Sequence, residues 1–234
     1  PVLPADVSRS ALAFTVEPEG VRFGRGAVKN VGEGAILSLL AAREKHGRLE
    51  SLFVLCEELD LRLVNKRVLE SLVKAGAFDS LAGPPGDAAP VTLRRGRLLA
   101  SVDRAIEHGN RVQRDREQGQ SQLFGAMFDG DGPAEVIPLS DAPPLDEVQQ
   151  LAFEKEALGF YMSGHPMSRY TADLKAFGAR HSSEMTTSLP DVLMGGIVTG
   201  ARHGKTKSGG RMAIFQLEDD AGSFEVCVWS DTYE

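Results

Sequence analysis

Apolar positions recur at helical spacing through most of the chain and give way to strict alternation near its end. Ile36, Leu39, Leu40 and Arg43 before Gly47 predict one helix. Ser51 predicts the cap of a second, with Leu52, Phe53, Leu55, Cys56 and Leu59 on its apolar side, and Asn65 caps a third over 66–74 that ends before Gly76. From Thr92 a long helix turns Leu98, Leu99, Val102, Ala105 and Ile106 inward and its arginines outward, and is expected to fray after Gly109. A helix over about 145–161 carries Val148, Leu151, Ala152 and Leu158, and Pro166 suits the first turn of another with Tyr170, Leu174 and Phe177. From Val192 the period drops to two, and 193–200, 212–217 and 224–229 predict three successive strands. Residues 1–30, broken by Pro1, Pro4, Pro18, Gly20, Gly24 and Gly26, read as irregular or extended. The fold class is α+β, mainly helical and then stranded.

Two stretches obey neither period. In 118–125 a Gln/Gly/Ser run closes on Leu123 and Phe124 without apolar support on either side. An exposed apolar pair can anchor in a partner's pocket, and Gln120, three residues before Leu123, can fix register with both ends of its amide. The competing reading is a loop that folds the pair onto its own core. The other stretch, 126–144, is an acidic, proline-bearing linker, and 83–91 is a loop.

Charge sharpens this division. The net charge of −7 speaks against a general nucleic-acid binder, but residues 94–116 hold seven arginines against three acids, and 129–147 hold six acids and no base. Of the 234 residues 42% are hydrophobic, which supports more than one small core, and no apolar run of 18 or more suggests a membrane span. Cys56 and Cys227 lie far apart among apolar neighbours and read as core thiols of a reducing, cytoplasmic compartment. A start at Pro1, with no initiating Met and no leader pattern, suggests a piece of a longer polypeptide.

Candidate chemistry is that of binding. Lys29, Asn30, Gly32 and Gly34 form a tight turn that opens the first helix, where free backbone N–H groups at a positive dipole end suit a phosphate. The turn resembles a helix-hairpin-helix element with Asn30 at its first glycine position; an ordinary helix start is the alternative. Lys66, Arg67 and Lys74 flank the apolar face of the third helix, to meet a DNA backbone or merely to solvate it. A glycine-marked bend in the first strand, and a basic loop bearing Arg202, Lys205, Lys207 and Arg211, fit the opening of an OB-type β-barrel that holds single strands. Asp129 and Asp131 lack the further ligands of a calcium loop, so no metal site is expected. His165 beside a turn reads as a cap, and Glu154 and Glu156 as solvated helix acids.

Six blocks in order (21–32, 64–79, 98–106, 119–125, 154–166 and 205–212) resemble the alpha subunit of bacterial DNA polymerase III. The resemblance implies that 1–26 is the end of the fingers region and 27–125 a helix-hairpin-helix domain for duplex DNA. Within it, Gln120, Leu123 and Phe124 would be the peptide for the sliding clamp (beta). After the 126–144 linker, 145–189 would be a helical connector and 190–234 the start of an OB domain near the single-stranded template.

By the same resemblance the parent is a DNA-directed DNA polymerase, a nucleotidyltransferase. Its catalytic carboxylates and Mg ions belong to a palm region upstream of these residues, so neither cofactor nor catalytic group is expected here. The implied partners are the clamp, double- and single-stranded DNA and other polymerase III holoenzyme subunits, with no membrane. A binding module of a repair factor, or of an OB-containing tRNA-binding protein, is the alternative.

Overall fold

The computed structural model describes residues 1–47, 49, 51–81, 89–118, 137–185 and 191–233. The chain divides into two compact units, Pro1–Met162 and Ser163–Glu234. None of the described helices is long and apolar enough to cross a membrane.

The first unit opens with a small sheet in the stretch expected to be irregular or extended. Strands β1 (Val2–Leu3) and β2 (Thr15–Glu17) flank β3 (Gly20–Arg22), parallel and antiparallel respectively. Strands of two or three residues are too short for a period to register in sequence. Gly20 is obligatory: its φ is 155°, and a Cβ there would lie 2.4 Å from the Pro1 carbonyl oxygen. Arg22 closes the sheet by donating to Glu17 and, at 3.0 Å, to the Pro4 carbonyl.

Three helices follow as expected. In α1 (Glu33–His46) Ala35, Ile36 and Leu39 are buried, and the helix stops at Gly47, whose φ of 68° is in the left-handed region. Helix α2 (Leu52–Glu58) is capped by Ser51 Oγ, which accepts from the Val54 N–H, and α3 (Lys66–Lys74) by Asn65 Oδ1, which accepts from the Val68 N–H. Their apolar faces meet in one core with Leu52, Leu55, Leu69, Leu72, Phe78, Leu98 and Val102 fully or almost fully buried.

Helix α4 (Val91–Glu117) does not fray at Gly109. The glycine is a crossing point: a Cβ there would stand 2.3 Å from the Cys56 carbonyl oxygen, so its missing side chain lets α2 lie directly on α4. The following turns are then held by the end of α2. Gln113 Nε2 donates to the carbonyls of Cys56, Glu57 and Leu59 at 2.9–3.2 Å, satisfying acceptors that a helix terminus leaves open. Arg116 pairs with Glu57 and Glu58, and His108 with Glu57. Burial pushes the Glu58 carboxyl up, but Lys45, Arg116 and His46 around it outweigh this and hold its pKa down at about 2.

Two further expectations give way at helix α5 (Glu147–Leu158). Its start is a reciprocal capping box between Asp146 and Gln149, and Gly159 ends it at φ 89°. Glu154, expected to be solvated, is 1% exposed, and Arg95, expected to face outward on α4, is 6% exposed. Arg95 Nη1 donates to Glu154 Oε1 at 3.0 Å, while Nη2 and Nε reach Asp79 at 2.9–3.3 Å. Burial works against the Arg95 charge, but the two carboxylates outweigh it and raise its pKa. The second Glu154 oxygen accepts from the Met162 N–H at 2.9 Å. The end of the expected acidic linker also lies on this unit: Ile137 and Leu139 pack against the core, Ser140 N donates to Ser101 Oγ, and the Leu145 N–H donates to the Thr92 carbonyl.

In the second unit a 3-10 turn (Pro166–Tyr170) leads into the short α6 (Thr171–Ala176), with His165 Nδ1 accepting from the Met167 N–H as its cap. Strands β4 (Ile197–Lys205), β5 (Arg211–Glu218) and β6 (Ser223–Val228) form an antiparallel sheet in that order. The ladder slips between Val198 and Gly200, leaving Thr199 opposite no residue. Phe215, Leu217, Phe224, Val226 and Val228 share the half-buried face. Cys227 alternates to the other face and is exposed, so only Cys56 is the expected core thiol, its pKa pushed up by burial to about 12. The turn before β6 is organised by buried Asp219, which accepts from Ser182 N and Oγ and from the Ala221 and Gly222 N–H groups.

Arg95→Met is expected to cost about 3–5 kcal/mol, because it strands a buried carboxylate, whereas replacing all three charged groups by apolar ones restores much of that loss; denaturant midpoints decide between these outcomes. The depressed Glu58 pKa contributes stability above its ordinary value of 4.5, lost as pH falls toward about 2. Glu58→Gln is therefore less stable than wild type at neutral pH, and thermal melts of the two should converge across that acid window.

Candidate nucleic-acid interface

The glycine-bearing turn before α1 folds as a hairpin with one unusual residue. Asn30 adopts φ 67°, a conformation that glycine enters freely and asparagine better than other side chains. It therefore does the backbone work of the first glycine, and adds a bond that glycine lacks: Nδ2 donates to Ser71 Oγ at 3.1 Å, tying the hairpin to α3. Gly32 is the extended N-cap of α1 with no side-chain cap and open space where a Cβ would point. Gly34 faces Leu63 at 3.5 Å, ordinary packing distance for an added Cβ, and Glu33 places one acid in the same first turn. The backbone N–H of Lys29 donates to the Ala157 carbonyl, and a Cβ on Gly159 would lie 3.7 Å from its exposed ammonium.

Beside the hairpin lies an open groove of about 390 Å³ lined by Asn30, Lys66, Arg67, Glu70, Ser71, Lys74 and Glu156. Thus four of the expected residues, Asn30, Lys66, Arg67 and Lys74, share one surface, while Lys29, Gly32 and Gly34 stand outside its lining. Lys66 pairs with Asp103 at 2.7 Å and with Glu70 at 3.9 Å, and the hydrogen bond it donates to Asp103 raises its pKa. Lys74 Nζ bonds both oxygens of Glu156 at 2.9 Å and sits 4.8 Å from the centre of the Phe153 ring. Ser71 and Glu156 were not legible as site residues. The isolated Asn in a glycine turn is the one sequence signal that leads to Ser71.

The expected basic loop of the second unit is shorter than its sequence suggests. Arg202 and Lys205 lie within β4 and Arg211 within β5, leaving Thr206 to Gly210 as a hydrogen-bonded turn that carries Lys207. Lys205 and Arg211 are direct cross-strand partners at that end. Arg202 is on the opposite face, in the row with Ile214 and Cys227, and bonds Glu225 at 3.0 Å. The basic residues are thus divided between two faces, a consequence of the two-residue period. Gln120, Leu123 and Phe124 lie outside the described residues, as do Asp129 and Asp131.

Among the described residues, ligand-type atoms of His181, Asp219 and Asp220 approach within 4.8 Å of one another. Four N–H and O–H donors already occupy both Asp219 oxygens, and His181 Nδ1 is 2.8 Å from Asp220, so the cluster is accounted for by the turn it builds.

Comparison with known proteins agrees with this geometry. A family model described as a helix-hairpin-helix motif matches residues 1–86. The whole chain aligns with the DNA polymerase III subunit alpha of Thermus aquaticus at 42% identity, and with those of Vibrio cholerae and Deinococcus radiodurans at 35% each. These alignments cover 18%, 19% and 17% of the respective relatives, so the chain spans about a fifth of their length. On these matches along its full length, the chain belongs to the DNA polymerase III alpha-subunit family, as a segment that carries the helix-hairpin-helix motif.

Proposed function

We propose that this segment tethers a cytoplasmic replicative polymerase to duplex DNA and to its sliding clamp, and leaves nucleotidyl transfer to other parts of the polypeptide. The observation that carries the reading is Asn30 at φ 67°, bonded to Ser71, beside Lys66 and Arg67. Asn30 of the hairpin and the cations of α3 then face one groove, a combination that grips phosphates without reading bases. Exposed Arg67 is the primary phosphate ligand. Lys66 joins it by exchanging Asp103, itself a well-solvated partner, for a phosphate. Lys29, Gly32 and Gly34 add contacts along the hairpin.

The clamp contact belongs to Gln120, Leu123 and Phe124, a short way beyond the end of α4 at Glu117. Leu123 and Phe124 supply the apolar anchor and Gln120 the hydrogen bonds that fix register. The β4–β6 sheet is the opening of an OB-type barrel near single-stranded template, with Arg202, Lys205, Lys207 and Arg211 along its strands and turn. Each contact is weak alone. One chain that makes several converts later binding events into intramolecular ones, and this avidity yields processive synthesis together with the other holoenzyme subunits.

Leu123→Ala with Phe124→Ala is expected to remove clamp binding in a pulldown while the thermal melt is unchanged; retained clamp affinity would overturn the assignment of the peptide. Arg67→Glu is expected to weaken duplex binding and to flatten its dependence on salt by about one phosphate contact. An unchanged salt slope would show that α3 presents only a solvated face.

A further inference from the structure

The groove beside the hairpin holds its cations unequally. Arg67 is exposed and has no ion-pair partner among the described residues. Lys66 is half exposed and its main partner, Asp103, more so, which makes that pair cheap to open. Lys74 is different: its side chain is 18% exposed, its ammonium is shared by both oxygens of Glu156, and Phe153 covers it. Glu156 and Phe153 hold it in place together, and neither belongs to α3, on which Lys74 sits. Phe153 and Glu156 are on α5, which the Arg95–Glu154 pair fixes in position. Glu156 itself is 55% exposed and faces the same groove, so it also sets a negative charge where a phosphate would lie.

We propose that Glu156 is an affinity-limiting counter-charge: it withholds Lys74 from the duplex backbone and keeps the groove one phosphate contact short of its capacity. This rests on the reading of the groove as a duplex site. Physically, bringing Lys74 onto a phosphate requires breaking a two-oxygen charged hydrogen bond and leaving a carboxylate beside the DNA, so the net exchange is unfavourable. The groove with Glu156 therefore binds loosely, so that retention on DNA depends on the additional tether and sliding is not arrested by a tight static grip.

The test is a duplex titration of the full chain against salt, with a blunt DNA oligonucleotide as probe. Glu156→Gln should bind more tightly at low salt, and its log–log slope should steepen by about 0.9, the value of one released counterion. Between about 50 and 200 mM salt this is an extra loss of roughly 3.5-fold. In a Lys74→Met background, Glu156→Gln should still relieve repulsion of the backbone but should not steepen the slope by a further contact. An equal steepening without Lys74, an equal gain from Glu44→Gln on the exposed surface of α1, or no gain at all from Glu156→Gln would overturn the proposal. If Arg67→Glu leaves duplex affinity and slope unaltered, the groove is not a duplex site, and the underlying reading fails; if Arg67→Glu weakens binding while Glu156→Gln does nothing, only the counter-charge idea fails.

Discussion

A single guanidinium, that of Arg95, joins three separate parts of the helical unit. It spans from Asp79, in the turn after α3, to Glu154 on α5, with its own backbone in α4. Buried charges of this kind rarely add stability over an apolar core of the same shape, but they tolerate no mismatch, because a lost partner leaves a bare charge out of water. Even the turn that approaches Arg95 is constrained. Gly76 has φ 77°, and a Cβ on it would stand 2.3 Å from Arg95 Nη2. The arrangement thereby fixes where α5 sits against α3, and with it the edge of the groove on which Glu156 and Lys74 meet.

The same dependence explains what could be read from the sequence and what could not. Ser51 and Asn65 announced their helices, since a cap acts on a backbone group three residues away. The three strands declared themselves by alternation, and the resemblance of six blocks identified the family that the comparisons bear out. Glu154 and Arg95 misled because each sits in a helix whose local pattern is compatible with solvent, while the partner lies 59 residues away. Gly109 misled in the opposite direction: a residue that usually weakens a helix here allows a close crossing, visible only once Cys56 is known to lie against it. Cys227 looked apolar by its neighbours, yet in a strand the immediate neighbours point to the other face.

At the candidate interface the legible part was the hairpin and its flanking cations, and the hidden part was their balance. Asn30 departs from the expected glycine yet keeps the required backbone conformation, and its amide uses the departure to brace α3. The acids closest to Lys66 and Lys74, Asp103 and Glu156, come from α4 and α5, elements with no sequence proximity to α3, whereas Glu70 of α3 itself stands 3.9 Å from Lys66. Charge counted along the chain therefore misjudges the groove, where cations and acids from distant segments nearly cancel. A contact surface so balanced owes its orientation to shape and hydrogen bonding more than to a long-range field.

The register slip in β4 has a different kind of consequence. Because Thr199 faces no residue across the ladder, excising it would keep every existing pair on both sides, from Ile197 with Glu218 to Lys205 with Arg211. What would disappear is the local bend and added coil that a bulge imparts. Curvature in this sheet is thus carried by one amino acid that contributes nothing to its pairing, and the two properties can drift apart in descendants of the gene.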